Sequence, residues 1–528
     1  MVGQKNKILN TTKIIVGCFF LVTVILPIGA LLTKLGNADI GKIFSNPMVP
    51  QAILNSVSVS LCATAISVSL AMLLAWCMTR TGIRGKGFFR TLLMLPMLIP
   101  SISHGMGLII LFGANGRLTH LLGLEGGIYG FWGIVVGSVM YSFPVAYLMI
   151  SDILTYEDST PYEAAAVLGI PKWRRFTAIT LPYLRRPMIN VIFATFTLIV
   201  TDYGVPIMIG GTYKTLPVLM YEEVIGRLDF GKGSVFGVIL LLPAVAAFII
   251  DIVSRSRTSN SFVTKPFDIK KSTVRDVLSY IALGLTSVAV AYPIFSFIQI
   301  SVANRYPKDM SFTLRHIESS VNKGAFDYLI NSLIVALLVA LIGTVISFLC
   351  AYFTSRMPSK SSAFLHMMSI TSLAIPGLVL GLSYTMVFKN SPIDKTIAIL
   401  VIVNIIHFFS SPYLMMYNSL GKLNVNLESV GATLGIGRLR MIRDVFLPQT
   451  AGTLVEMFSY FFVNSMMTIS AVAFLVGPKT RLLSLMINQF EAQTLLEASA
   501  FVSLLILACN LVTKGIVHIV RSRLRIKG

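Results

Sequence analysis

The sequence predicts an all-α polytopic membrane protein of about twelve transmembrane helices, built as two tandem parallel six-span repeats. Three observations carry this reading. Only 12% of the 528 residues are charged and 55% are hydrophobic, with a mean hydropathy of +0.80, whereas a soluble chain of this size needs about 25% charged residues to cover its exterior. The apolar residues gather in runs of about 18 or more, long enough to cross about 30 Å of hydrocarbon as helices. Finally, the second half of the chain repeats landmarks of the first at nearly constant spacing.

In chain order the runs fall near 13–34, 52–78, 91–113, 128–152, 188–210, 234–253, 277–302, 328–354, 364–388, 397–419, 451–476 and 498–517. No alternating strand pattern appears, which argues against a membrane barrel. Lys5 and Lys7 precede the first run, which is longer than a signal-peptide core and is read as a retained span. The net charge of +21 does not mark a nucleic-acid binder, because the basic residues sit in short tracts between apolar runs. With the N-terminus inside, Lys and Arg favour the inner side by about two to one, so both termini are expected in the cytoplasm. Arg80, Arg84, Lys86 and Arg90, the segment Arg255 to Arg275, and the tail Arg521, Arg523, Arg525 and Lys527 contribute most. The five cysteines lie inside apolar runs without metal-ligand spacing, and no metal site is expected.

Leu54-Asn55-Ser56 at the head of the second run recurs as Ile330-Asn331-Ser332 at the head of the eighth. Thr79-Arg80 recurs as Ser355-Arg356, and Ile99-Pro100-Ser101 as Ile375-Pro376-Gly377, all at one offset. Beyond a shortened outer loop, Tyr147-Leu148-Met149 matches Tyr413-Leu414-Met415 and Leu181-Pro182 matches Leu447-Pro448. The expected organisation is a first half over 1–253, a cytoplasmic linker over 254–276 and a second half over 277–528. An even number of spans per half gives both copies one orientation, with a pathway between them.

The inner loop after the fourth span, about 156–187, is long for such a bundle. Asp158, Ser159 or Thr160 can cap a helix whose first turn holds Glu163, the run Ala164-Ala165-Ala166 propagates it, Gly169 can end it in the left-handed conformation, and Pro171 suits the start of another. A short helix with a small-residue face outside the membrane suits a groove on another protein.

Glu163-Ala164-Ala165, Gly169, Ile179, Leu181 and Pro182 follow, without a gap, the pattern E-A-A-x3-G-x9-I-x-L-P. The loop thereby resembles the EAA loop of ABC importer permeases of type I. The second copy, about 420–450, keeps Gly435, Val445, Leu447 and Pro448. It holds Ser429 at the glutamate position and Val430 and Gly431 at the two alanine positions, with Glu428 one place early. The resemblance covers essentially the whole chain. It implies that both loops, through Glu163, Ala164, Ala165, Gly169, Leu181 and Pro182 and through Glu428, Gly435, Leu447 and Pro448, are coupling elements gripped by two cytoplasmic ATPase subunits. It also implies an extracytoplasmic solute-binding protein as partner, a bacterial inner-membrane location, and a fused permease like those for ferric iron, 2-aminoethylphosphonate or thiamine.

No G-x4-G-K-[ST] sequence occurs, so this chain is expected to bind no cofactor and to hydrolyse nothing, with ATP and Mg used by the partner subunits. The alternative reading is a proton- or sodium-coupled secondary transporter of the 6+6 type, which usually carries intramembrane carboxylates. Asp202 is the clearest such residue. Asp202 and Tyr203 precede Gly204 and Pro206, and Thr468 and Ser470 stand at corresponding places in the second half; these four are the candidate pathway residues, against the plainer reading of Asp202 as a packing hydrogen-bonder. His104, His366 and His407 read as interhelical hydrogen-bonders. Pro96, Pro100, Pro144, Pro206, Pro376 and Pro412 are expected to kink their spans.

Overall fold

The computed structural model describes residues 2–36, 38–123, 126–254, 265, 267–269 and 272–526. Lys527 and most of the linker 254–276 therefore lie outside the described residues. Eight helices are each long and apolar enough to cross a membrane: Ile8–Leu35, Met48–Arg80, Phe131–Thr155, Trp173–Val200, Phe230–Ile250, Thr273–Ser301, Ala325–Arg356 and Leu496–Arg523. Three bent pairs, Lys86–Leu98 with Ser101–Leu122, Lys360–Ala374 with Gly377–Phe388, and Ile397–His407 with Ser410–Gly421, bring the total among the described residues to eleven if each is one span. Helix Ala451–Met467 has 17 residues, at the lower end of the spanning range, in place of the expected span 451–476. Two short strands, Ala303–Arg305 and Asp309–Phe312, pair antiparallel.

Proline chemistry accounts for two of the bends. Pro100 and Pro376 hold the residue before them extended, Ile99 at ψ 149° and Ile375 at ψ 110°, because the pyrrolidine ring disfavours the helical conformation there. The chain turns by 102° and 112° at these points. Expected spans 188–210 and 451–476 also stop early. Their helices end at Val200 and Met467, since Asp202 and Gly204 in one copy and Thr468 in the other break the helix inside a run whose composition reads as continuous.

The recurring Asn-Ser pair has a structural purpose. Asn55 Nδ2 donates to Lys214 O (2.9 Å) and Ser56 Oγ accepts from Leu216 N (2.7 Å), which starts the short helix Leu216–Tyr221. In the second half Asn331 Nδ2 donates to Lys479 O (3.0 Å) and Ser332 Oγ accepts from Leu483 N (2.8 Å), at the head of Leu483–Ala492. Each pair satisfies backbone groups of a helix that re-enters between spans, where no water is available to do so.

The halves exchange their first spans. Lys13 Nζ, on the first span, donates to Ser359 Oγ (2.6 Å) and Ser362 Oγ (2.7 Å), Phe20 packs edge-on against Phe409, and Tyr384 OH donates to Thr23 O (2.7 Å). Reciprocally, on Thr273–Ser301, Asp276 Oδ1 accepts from Gly82 N (3.1 Å), Tyr280 OH accepts from Arg84 N (2.7 Å) and Gln299 Oε1 accepts from Arg117 Nη1 (2.7 Å). The sequence boundary near 253 is therefore not a packing boundary.

One close approach is conserved in shape with its residues interchanged. At Gly204 a Cβ would strike Ser101 Oγ, and at Gly377 a Cβ would strike Ser470 Oγ. Ser101 and Gly377 occupy matching places after the proline bend, as do Gly204 and Ser470 after the helix break. Each crossing holds one Ser and one Gly, and which side carries the Gly is reversed. Replacing Gly377→Ser overpacks this site at a cost of about 1–3 kcal/mol, and adding Ser470→Gly restores most of it by reproducing the first half's arrangement; thermal unfolding of the two variants in detergent checks both steps.

Candidate functional site

The two hairpins close with the same hydrogen bonds. Helix Thr160–Val167 is entered through Asp158, whose Oδ1 accepts from Thr160 N (3.1 Å) and Thr160 Oγ1 (2.8 Å). At its end Gly169 has φ +67°, Gly169 N donates to Ala166 O (3.1 Å) and Ile170 N donates to Ala165 O (2.9 Å). Helix Leu427–Thr433 ends in the same way: Gly435 has φ +70°, its N–H donates to Ala432 O (3.1 Å), and Ile436 N donates to Gly431 O (2.7 Å). This is the Schellman closure, in which a left-handed residue satisfies the last helical carbonyls, and glycine adopts it without the Cβ penalty.

Beyond Gly169 the structure departs from the expected separate second helix. Lys172–Arg175 continues through a π turn, Phe176–Thr180, into Leu181–Val200. Hairpin and fifth span are one rod, Trp173–Val200. The second half repeats the π turn at Ile442–Phe446, before Leu447–Gln449. Proline lacks an N–H and its ring clashes with the carbonyl four residues back. The wider i→i+5 turn, closed by Leu181 N to Phe176 O and by Leu447 N to Ile442 O, relieves the crowding at Pro182 and Pro448. Leu181 and Pro182 thus shape the helix entry.

The hairpin faces turned away from the bundle are apolar. Val167 is 89% exposed, and Leu168 and Leu434, at matching places beside the glycines, are 76% and 69% exposed. Ala164 is exposed and Ala165 buried; Gly431, which matches Ala165, is buried against Met441, where a Cβ would strike the sulfur.

Glu163 and Glu428 have different surroundings. Glu163 is exposed and accepts from Lys265 Nζ (2.7 Å), which holds its carboxyl below the usual range and raises the Lys265 ammonium. Glu428 instead turns inward and takes Arg356 in a two-pronged pair, Nε to Oε1 and Nη2 to Oε2, both 2.6 Å. Arg356 also donates to Leu423 O (3.1 Å) and Asn424 O (2.8 Å). In the first half Arg80 pairs with the buried Glu157 at 2.5 Å and donates to Leu154 O (2.9 Å), while Tyr162 OH donates to Glu157. Glu428, expected on the coupling face, is placed as a brace of the hairpin base, and Ser429 stands where Glu163 does. Arg80, Arg356 and Glu157 were not among the candidate site residues; the recurrence of Thr79-Arg80 as Ser355-Arg356 was the signal for the arginines.

The linker reinforces the first hairpin. Lys265 N donates to Asp158 Oδ1 (3.2 Å), Lys265 O accepts from Ser159 N (3.0 Å), and Phe267 lies between the Arg80 guanidinium, 3.7 Å from its ring centre, and the Tyr162 ring at 5.0 Å.

A helix break follows Val200 in the first half and Met467 in the second. Asp202 accepts from Gly204 N (3.3 Å) and Val205 N (3.0 Å), capping Gly204–Ile209, and hydrogen-bonds Ser101. Tyr203 is buried and stacked on Tyr221 at 5.0 Å. Thr468 is buried and its carbonyl accepts from Ser484 Oγ (2.5 Å), while Ser470 packs on Gly377. Asp202 and Tyr203 thus share one break, and Thr468 and Ser470 the matching one. Tyr221 in turn meets Phe474 of the second half at 6.0 Å. Among the described residues no three of His, Cys, Asp and Glu are grouped to hold a metal ion.

A cavity of about 370 Å³ opens near Lys42, Lys214, Glu222, Glu223, Arg227 and Lys232. Glu223, 5% exposed, bridges Arg227 (2.7 Å) and Lys232 (3.3 Å), and Lys214 pairs with Glu222 (2.5 Å). With Leu216 matched to Leu483, the places in the second half corresponding to Lys214, Glu222, Glu223 and Arg227 hold Arg481, Gln489, Phe490 and Thr494, so the basic residue at Lys214 has a counterpart and the two glutamates do not.

The model of the family described as binding-protein-dependent transport system inner membrane component matches residues 42–258 and 343–526. A putative ferric transport system permease protein of Haemophilus influenzae is 25% identical over 463 residues, 83% of this chain and 72% of the relative. A ferric transport system permease protein of Actinobacillus pleuropneumoniae is 25% identical over 492 residues, 89% and 70%. An Fe(3+)-transport system permease protein of H. influenzae is 21% identical over 464 residues, 86% of each chain.

Arg356→Met strands Glu428 at the hairpin base and lowers stability by about 3–5 kcal/mol, whereas adding Glu428→Leu recovers most of that loss. Glu163→Gln, at the exposed position, leaves the melting temperature unchanged. A thermal-shift series on the three variants checks the contrast.

Proposed function

Because the chain belongs to the family of binding-protein-dependent transport system inner membrane components, with that domain present twice, we propose that it is the complete translocation unit of an ABC importer for ferric iron. Iron is supported by the names of the three relatives that span most of the chain; 2-aminoethylphosphonate, thiamine and the ion-coupled carrier have no comparable support. Two ATPase subunits grip the hairpins from the cytoplasm, where both termini lie, and use ATP and Mg. The permease itself binds no cofactor. A solute-binding protein delivers iron to the opposite face of the bacterial inner membrane.

The observation that carries this reading is the pair of glycine-closed hairpins with exposed leucine tips, the first running into the 28-residue helix Trp173–Val200 and the second into Leu447–Gln449 and, past a turn at Thr450, Ala451–Met467. The first helix is about 42 Å long, so displacement of the first hairpin is passed along it toward Asp202, and displacement of the second along its two-part counterpart toward Thr468. Nucleotide binding then shifts the permease between conformations by as much as the ATPases' affinities for the two forms differ. Both hairpins share the apolar tip and the glycine closure, so a pair of identical ATPase subunits finds one common surface twice even though only the first copy presents Glu163.

Leu168→Asp and Leu434→Asp put a charge on each tip. Each is expected to weaken ATPase capture by the purified permease about tenfold or more, a loss of at least about 1.4 kcal/mol, and to abolish ATP-driven iron uptake in proteoliposomes with the melting temperature unchanged. Uptake by the chain alone, driven by a proton gradient, would overturn the assignment.

A further inference from the structure

At the end of the bundle opposite the hairpins, the first half keeps a charged cavity for which folding supplies no reason. The second span starts beside this cavity at Met48 and ends at Arg80, which pairs with Glu157 at the hairpin base. Cavity and hairpin are therefore a 33-residue helix apart, about 50 Å. The cavity wall carries four cations, Lys42, Lys214, Arg227 and Lys232, and two carboxylates, Glu222 and Glu223. Its volume of about 370 Å³ is that of a small-molecule site.

The second half reaches the same local fold with most of this charge gone. Its helix Leu483–Ala492 starts on the same Asn-Ser cap, yet Gln489, Phe490, Thr494 and Ser499 stand where the first half has Glu222, Glu223, Arg227 and Lys232. Burying a carboxylate among cations gains little over a well-packed apolar side chain, and Phe490 supplies such a side chain at the matching place. The backbone differs too. Leu216–Tyr221 widens into a π turn at the two carboxylates, Glu222–Gly226, whereas Leu483–Ala492 is one unbroken α-helix. The other π turns among the described residues, Leu21–Ile25, Phe176–Thr180 and Ile442–Phe446, each lead into a proline, Pro27, Pro182 or Pro448, and this one leads into none. A π turn without such a cause is most often found at a functional site.

The carboxylates do not use up the cations. Glu223 takes Arg227 and Lys232, Glu222 takes Lys214, and Asp229, which is not in the wall, adds a 3.6 Å pair with Lys232. Asp39 is occupied by the backbone N–H of Lys42 (3.0 Å). The Lys42 side chain is exposed and forms no ion pair among the described residues. A concave wall with an excess of one sign focuses its field into the space it encloses, and here that sign is positive.

We propose that this cavity binds a small polyvalent oxyanion, a polycarboxylate or phosphate, either free or as the ligand of a ferric ion. The anion site stands on the cavity, and its link to iron rests on the reading above, which puts the cavity on the face where substrate arrives. Its charge is wrong for a bare trivalent cation. In neutral water ferric iron stays dissolved inside complexes of hard oxygen donors, and with carboxylate in excess those complexes are anionic. Lys42 offers such an anion a charge that has no partner to displace, and Lys214 can exchange Glu222 for it. Glu222 thus competes with the ligand, which keeps the site weak enough to empty again. No covalent bond is made and no electron is transferred.

The test titrates the full-length chain in nanodiscs of zwitterionic lipid with citrate, inorganic phosphate and acetate by calorimetry. Citrate and phosphate are expected to bind, and acetate much more weakly. Lys42→Gln should weaken citrate binding about tenfold and Lys42→Glu should abolish it. Glu222→Gln should tighten it about threefold by freeing Lys214 from an exposed ion pair, a direction that a merely structural role would not produce. No binding by the wild type, acetate as tight as citrate, or affinities unchanged in both Lys42→Gln and Glu222→Gln overturn the site. Loss of citrate binding in nanodiscs of anionic lipid assigns the cavity to a lipid headgroup and also overturns it. Ferric citrate that displaces citrate supports the link to iron; ferric citrate that does not compete removes that link and leaves the anion site. ATP-driven iron uptake by the assembled importer is measured separately, so failure of the iron reading is distinguished from failure of the site.

Discussion

A helix can break inside a membrane only where other groups satisfy the backbone N–H and C=O that the break sets free. The architecture of this permease follows from how that demand is met. Asp202 supplies acceptors to Gly204 and Val205, Ser484 donates to the carbonyl of Thr468, and the pairs Asn55-Ser56 and Asn331-Ser332 cap the re-entrant helices beside the breaks. Each cap comes from a polar residue inside an otherwise apolar run. The breaks are therefore stable positions, and irregular backbone at these depths borders protein or a polar space instead of lipid.

Between hairpin and break the first half runs as one helix, Trp173–Val200, whereas its counterpart is divided at Thr450. Gly169 and Gly435 close the hairpins, the π turns lead into Pro182 and Pro448, and Arg80 and Arg356 tie the hairpin bases to the ends of the second and eighth spans. The two anchorages use one cation position and different carboxylates. Glu157 precedes its hairpin helix, whereas Glu428 sits within its own. A second copy that lacks the glutamate of the motif is thus still held at the same angle, because the brace and not the motif residue sets its position.

The exchange of first spans changes what a half means. Ile8–Leu35 buries Phe20 and Thr23 against the second repeat, and Thr273–Ser301 is hydrogen-bonded to Gly82, Arg84 and Arg117 of the first. Neither repeat has its own complete core. Motion between the halves must carry these crossed spans along. The linker residues at 265 and 267 meet Asp158, Ser159, Glu163 and Tyr162 at the first hairpin and support it.

Membrane residence, the duplication and the two hairpins were legible in the amino-acid order, because each is a local or periodic property: apolar length, a nearly constant offset between landmarks, and a short helix ended by glycine. The helix ends at Gly169 and Gly435 could be read from the sequence, and the start was narrowed to Asp158, Ser159 or Thr160, since helix ends are decided within a few residues. Span boundaries near 201 and 468 could not, because hydropathy averages over a window and passes across a single break. The inward turn of Glu428, the burial of Glu157, the interchange of Ser and Gly at Ser101/Gly204 and Gly377/Ser470, and the meeting of Tyr221 with Phe474 depend on which spans lie side by side. That adjacency joins residues tens to hundreds of positions apart, so only the tertiary structure decided it.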